Sequence, residues 1–159
     1  MEQIIITHPD GTTLPLISKA AGRAVTKAEQ SVALLGEDTV KLSVKSAEPL
    51  DFRLGDIIDV FGKAYKLNQL PEPTKNGERN FLYDLTMEGA QYDLIDVQWL
   101  LPDNTVLDSF TGDLEDFLDI IVNNLNRVYT NKWQKGIFPT DTEFKTLTYS
   151  EKNVLEVAQ

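Results

Sequence analysis

The chain has no cysteine and a single histidine among its 159 residues. Without cysteine there is no disulfide, no thiolate nucleophile and no cysteine-ligated zinc. With His8 alone, a metal site built on several imidazoles is excluded, and a Ser-His-Asp triad would have to rest on that one residue. His8 precedes Pro9 in a turn, where an imidazole is expected to face solvent. Basic residues are also scarce: 15 Lys and Arg against 25 Asp and Glu leave a formal charge of −10. Attraction to a nucleic-acid backbone is carried by clustered Lys and Arg, so no specific nucleic-acid binding is expected, and an acidic surface repels DNA. Long apolar runs are missing too. None approaches the ~18 residues of a membrane span, and the short apolar run after Met1 has no basic flank, unlike a secretory signal. Neither a membrane partner nor a cofactor is expected.

What is present is a folding composition, 42% hydrophobic and 9% aromatic, enough for one domain, or for one domain and part of a second. Short β-rich runs separated by turn residues fill the first two thirds. Ile4 to Thr7 stops at His8, Pro9, Asp10 and Gly11, and Thr13 to Ile17 returns beside it. Ser18 to Gln30 is ambiguous between helix and strand and is taken as extended. Ser31 to Leu35 and Thr39 to Ser46 form a hairpin about Gly36, Glu37 and Asp38; in its second arm Val40, Leu42 and Val44 alternate with Lys41, Ser43 and Lys45, a strand with one wet face. Ile57 to Phe61 and Ala64 to Asn68 pair across a tight connection at Gly62 and Lys63. Pro71 and Pro73 exclude a central strand, and Asn76 with Gly77 predicts a type I′ hairpin turn. Phe81, Tyr83, Leu85 and Met87 then point one way and Asp84, Thr86 and Glu88 the other. Val97 to Leu101 and Thr105 to Leu107 bracket a turn at Pro102, Asp103 and Asn104.

At Asp113 the period changes. Leu114, Phe117, Leu118, Ile121, Leu125 and Val128 recur at helical spacing, and Asp113, Glu115 and Asp116 crowd the first turn, where the helix dipole favours anions. Glu143 to Tyr149 predicts a strand, and Ser150 is placed to cap a second, short helix. The expected fold is therefore mainly β, a barrel or sandwich of about seven to nine antiparallel strands. A small α+β segment with two helices follows it. The boundary is placed between residues 1–108 and 109–159, and the second segment is expected to be truncated.

No active site is visible, and the chain is not expected to be an enzyme. Asp51, Asp56 and Asp59 lack the spacing of a calcium loop. The pairs Asp113 with Asp116 and Asp84 with Glu88 suit a helix start and a wet sheet face better than glycoside hydrolysis. Gly55, Gly62, Gly77 and Gly89 are scattered over turns and form no phosphate-cradling loop. Tyr65, Tyr83, Tyr92, Trp99 and Trp133 could stack on a carbohydrate if exposed, which leaves a carbohydrate-binding β module as the alternative function; as residues in alternating strands they suit the core better.

Taken in order and spacing, Pro49 to Phe52, Gly55 and Asp56, Val60 to Gly62, Tyr65, Leu67 and Asn68, Pro71, Tyr83 to Gly89 and Gln91 to Leu94 resemble the N-terminal part of phage and prophage tail proteins. The resemblance is to the baseplate-hub, tail-tip type, especially those of Bacteroides-group genomes. It covers roughly residues 20–101 and, more weakly, Tyr149 to Gln159; the stretch from Asp113 to Thr142 matches no hub motif. The resemblance implies a virion structural protein whose subunits, each with two similar β-barrels, form a homotrimeric ring. That ring joins the tail tube to a spike or tip protein, DNA passes through its lumen, and assembly takes place in the bacterial cytoplasm. On this reading residues 1–108 are the first barrel and the remainder opens an inserted domain.

Overall fold

The computed structural model describes residues 3–33, 36–101, 105–106, 108–130, 132–148, 153–154 and 156. Its contacts divide the chain into two units, Met1–Ala90 and Gln91–Gln159.

The first unit is an antiparallel sheet of eight strands: β1 Ile5–Thr7, β2 Thr13–Pro15, β3 Arg23–Val32, β4 Asp38–Ser46, β5 Ile57–Val60, β6 Lys63–Lys66, β7 Thr74–Lys75 and β8 Phe81–Gly89. They run in the order β2-β1-β5-β6-β8-β4-β3, with β7 also paired to β8. The central ladder is β4 on β8. Its register sets Val40 opposite Met87, Leu42 opposite Leu85 and Val44 opposite Tyr83, and all six are buried. Lys41 and Lys45 on β4 and Asp84 and Thr86 on β8 are exposed, as period-two alternation requires. Ile6, Ile58, Tyr65 and Leu67 join the same core cluster, although β1 and β5 lie far from β4 in the strand order. No helix of this unit covers the apolar face among the described residues, so the sheet curls over that face itself.

Local turn chemistry explains two departures from the expected hairpins. Between β5 and β6 the turn residues are Phe61 and Gly62, at φ 53° and 75°, and Lys63 already pairs with Val60 in the ladder. The turn therefore sits one residue earlier than Gly62 and Lys63. Asn76 and Gly77 do not form a type I′ turn: only Gly77 has positive φ. The connection is instead a five-residue loop between Lys75 and Phe81, which pair with each other, closed by Asn76 N–H donating to Asn80 O at 2.8 Å. The ambiguous Ser18 to Gln30 stretch turns at residues 19–22 and then becomes β3, a ten-residue strand.

The second unit continues from a 3-10 helix, Ala90–Asp96, that follows β8 and that the pattern of turns did not foreshadow. Val97 to Leu101 does not form a strand. It contributes isolated bridges, Gln98 to Asn153 and Leu100 to Val106, while Val97 and Trp99 enter a core with Leu125 and Val154. These residues therefore pack in the second unit, and the contact division falls after Ala90. The turn expected at Pro102 to Asn104 lies outside the described residues. β9, Ser109–Gly112, pairs with β10, Lys145–Thr148, and α1 spans Leu114–Tyr129. Asp113 caps α1 in a capping box: its side chain accepts from Asp116 N, and the Asp116 carboxylate accepts from Asp113 N. Ser150 lies outside the described residues. The reciprocal hydrogen bonds of a helix start are made by Asn153 and Glu156, with Val154 the first helical residue described.

Candidate interaction surfaces

The residues that could carry chemistry are used internally. His8 is buried, contrary to its expected exposure: its Nδ1 lies 2.6 Å from Oδ1 of Asp56, whose side chain is fully buried. The other Asp56 oxygen accepts the Arg53 amide at 2.8 Å. Arg53 in turn grips Asp10 at 2.7 Å and Asp51 at 2.8 Å, so the β1–β2 turn is clamped to the loop before β5. The Thr12 hydroxyl and amide, with the Arg53 guanidinium, hold the Asp10 carboxyl well below the usual carboxylate range. Asp51 and Asp10 raise Arg53 above its ordinary value. Asp59 faces outward on β5. Among the described residues no three His, Asp or Glu side chains are grouped so as to hold a metal ion.

The aromatic residues are equally committed. Tyr65, Tyr83 and Trp99 are buried, which removes them as carbohydrate-stacking platforms. Tyr83 packs edge-on against Phe52 with ring centroids 5.1 Å apart, and its hydroxyl accepts the Leu50 amide at 2.9 Å. The Tyr65 hydroxyl accepts from Gln30 Nε2 at 2.6 Å and donates to Asp38 Oδ1 at 3.1 Å. Tyr92 and Trp133 are half-buried; Trp133 packs on the second core with the Lys132 ammonium 5.7 Å from its ring. Asp84 accepts the Ser43 hydroxyl and Glu88 the Asn68 amide, as residues of a wet sheet face do.

What stays available is edge and surface. Among the described strands β3 forms a ladder with β4 alone, with one further bridge from Arg23 to Ser18, and from Thr26 to Val32 every residue is exposed. Seven consecutive residues of this ten-residue strand are therefore solvent-exposed, and its outer side presents backbone N–H and C=O groups to solvent. Its blunting devices are a bulge between Val25 and Lys27 and the charges of Lys27 and Glu29, themselves paired at 2.8 Å. The opposite edge, β2, is three residues long and ends in Pro15, a shape that resists pairing. The unpaired edges thus differ: one is short and closed to strand addition, the other long and open to it.

No protein-family profile matches the chain, and no curated protein does. Among solved structures, the crystal structure of prophage tail protein gp18 from Listeria monocytogenes EGD-e is similar to it, with a TM-score of 0.56 at 15% sequence identity. The match covers 99% of this chain and 44% of that one, so the chain spans less than half the length of its structural neighbour. At that identity the likeness is one of fold, shared with part of that protein.

Proposed function

We propose that this chain is a structural component of a phage or prophage tail, part of a baseplate-hub subunit that assembles into a ring between tail tube and spike. The observation that carries this reading is the fold likeness to a prophage tail protein along 99% of the chain. Two features support it. The side chains with catalytic or stacking potential are spent on internal hydrogen bonds and packing, which suits a protein that acts through contacts rather than through a reaction. The long open edge of β3 offers backbone to a neighbouring strand, as assembly by sheet extension requires.

In this reading the β unit, Met1–Ala90, is the first hub barrel and Gln91–Gln159 belongs to an inserted domain. The subunit forms a homotrimer, contacts tube and spike proteins in the virion tail, and is assembled in the bacterial cytoplasm. A charge of −10 suits a ring whose lumen passes DNA without gripping it. Light scattering on the full gene product tests this: a trimer is expected at tens of micromolar, and a strict monomer there removes the ring.

A further inference from the structure

The second unit carries an apolar cleft between its ribbon and its helix. In the β9–β10 register Leu147 lies opposite Phe110, so the two share one face of the ribbon. Phe110 uses that face to meet Phe117 of α1 edge-on, with centroids 5.1 Å apart. Leu147 nevertheless remains 42% exposed. A leucine on the helix-facing side stays that open where the strand does not close on the helix. The gap measures about 300 Å3 and is walled by Leu147 and by Leu114, Phe117, Leu118 and Ile121 of α1. Phe117 and Ile121 also pack on the core cluster, whereas Leu114 and Leu118 are not among its members and line the cleft.

The rim has one sign of charge in excess. Asp113, Asp141 and Glu143 border the cleft with a single ammonium, Lys145, which lies 3.6 Å from Glu143. Asp113 and Asp141 each accept a backbone amide, and Lys145 is the one cation among the described lining residues. The unit as a whole has 12 Asp and Glu against 5 Lys and Arg, a net charge of −7. A second copy would bring the same acidic rim against itself. Nucleic acid and anionic membrane surfaces are repelled for the same reason, and a cleft of this size is at the small end for a free organic ligand.

We propose that this cleft docks a segment of a partner protein in which a Leu- or Phe-sized side chain is flanked by Lys or Arg. The apolar side chain fills the space between Leu118 and Leu147, and its basic neighbours meet Asp113 and Asp141. The partner's specificity then comes from charge at the rim and its grip from the apolar slot. This docking is independent of whether the chain forms a ring.

Fluorescence anisotropy with a labelled peptide, acetyl-KKLFKK-amide, tests it against acetyl-EELFEE-amide. The basic peptide is expected to bind saturably and about tenfold more tightly than the acidic one, and to weaken several-fold at high salt. Leu147→Ser, which removes a half-exposed side chain, is expected to weaken binding about fivefold or more, and Asp141→Asn, which conserves volume, about two- to threefold. Circular dichroism establishes that both variants fold. Absence of saturable binding, equal binding of the acidic peptide, or unchanged affinity in either folded variant overturns the proposal.

Discussion

His8 Nδ1 lies 2.6 Å from Oδ1 of Asp56, a contact that joins residues 48 positions apart inside the first unit. It makes the turn after β1 and the loop before β5 one structural piece. Asp56→Ala leaves the His8 ring and the Arg53 amide without their acceptor and is expected to destabilise the protein by about 2–4 kcal/mol, since a buried donor left unsatisfied costs ~1–3 kcal/mol and more where charge is involved. His8→Ala should cost less, because Asp56 keeps the Arg53 amide. Urea unfolding of both single variants and the double variant measures the coupling; additive effects would show that the pair does not act together.

Asp10 on the same clamp predicts a pH dependence. Its folded pKa is depressed by Thr12 first and then by Arg53, so its contribution is fully present above the ordinary aspartate value. That contribution is lost only as pH falls below this value towards the lower folded one. Asp10→Asn should therefore lower stability at neutral pH, with the difference from wild type shrinking in strongly acid solution. Carbon-detected NMR titration of the Asp10 carboxyl checks the cause directly: ordinary titration would refute it.

Phe61 sits at φ 53° and is 54% exposed. A left-handed backbone costs a non-glycine residue ~1–2 kcal/mol, and Asn tolerates it better. Phe61→Asn is accordingly expected to raise stability by about 0.5–1 kcal/mol. Gly62→Ala, at φ 75°, should lower it by about 1 kcal/mol. Thermal melts of the two variants moving in the same direction would contradict this account of the turn.

In the second unit, Asn124 is buried and bridges two segments: its Oδ1 accepts Leu100 N at 3.1 Å while its Nδ2 donates to Leu100 O at 2.8 Å and Ile120 O at 2.9 Å. Asn124→Ala strands both polar groups of Leu100 and is expected to cost about 2–3 kcal/mol. Hydrogen exchange at the Leu100 amide should accelerate in the variant; unchanged protection would mean that water replaces the side chain at no cost.

Ala28 lies in the exposed run of β3, Thr26 to Val32. Ala28→Lys adds charge to an edge without touching the core, so monomer stability should shift by no more than ~0.5 kcal/mol. Self-association of the full gene product is expected to weaken, because an added edge lysine opposes strand addition. Sedimentation velocity decides: an unchanged oligomer would place the subunit contact elsewhere.

The features determined by the sequence alone are those set by short-range periodicity. Val40, Leu42 and Val44 on β4, Tyr83, Leu85 and Met87 on β8, and the Asp113 cap with the apolar stripe of α1 all follow from residues within a few positions of one another. The mainly β class rests on that same legible core, whereas the edge position of β3 follows from the strand order. The tertiary structure decided what depends on distant partners. His8 looks solvent-facing beside Pro9 until Asp56 arrives to satisfy its ring. Asn76 and Gly77 have the composition of a two-residue turn, yet the pairing of Lys75 with Phe81 leaves five residues to span. Ser109–Gly112 becomes a strand because Lys145–Thr148 supplies its ladder, and Trp99 leaves the expected sheet for the core that includes Leu125. A hydrogen-bond acceptor or an apolar wall contributed from tens of residues away leaves no trace in local periodicity, so burial and pairing of these residues emerge only once the chain has folded.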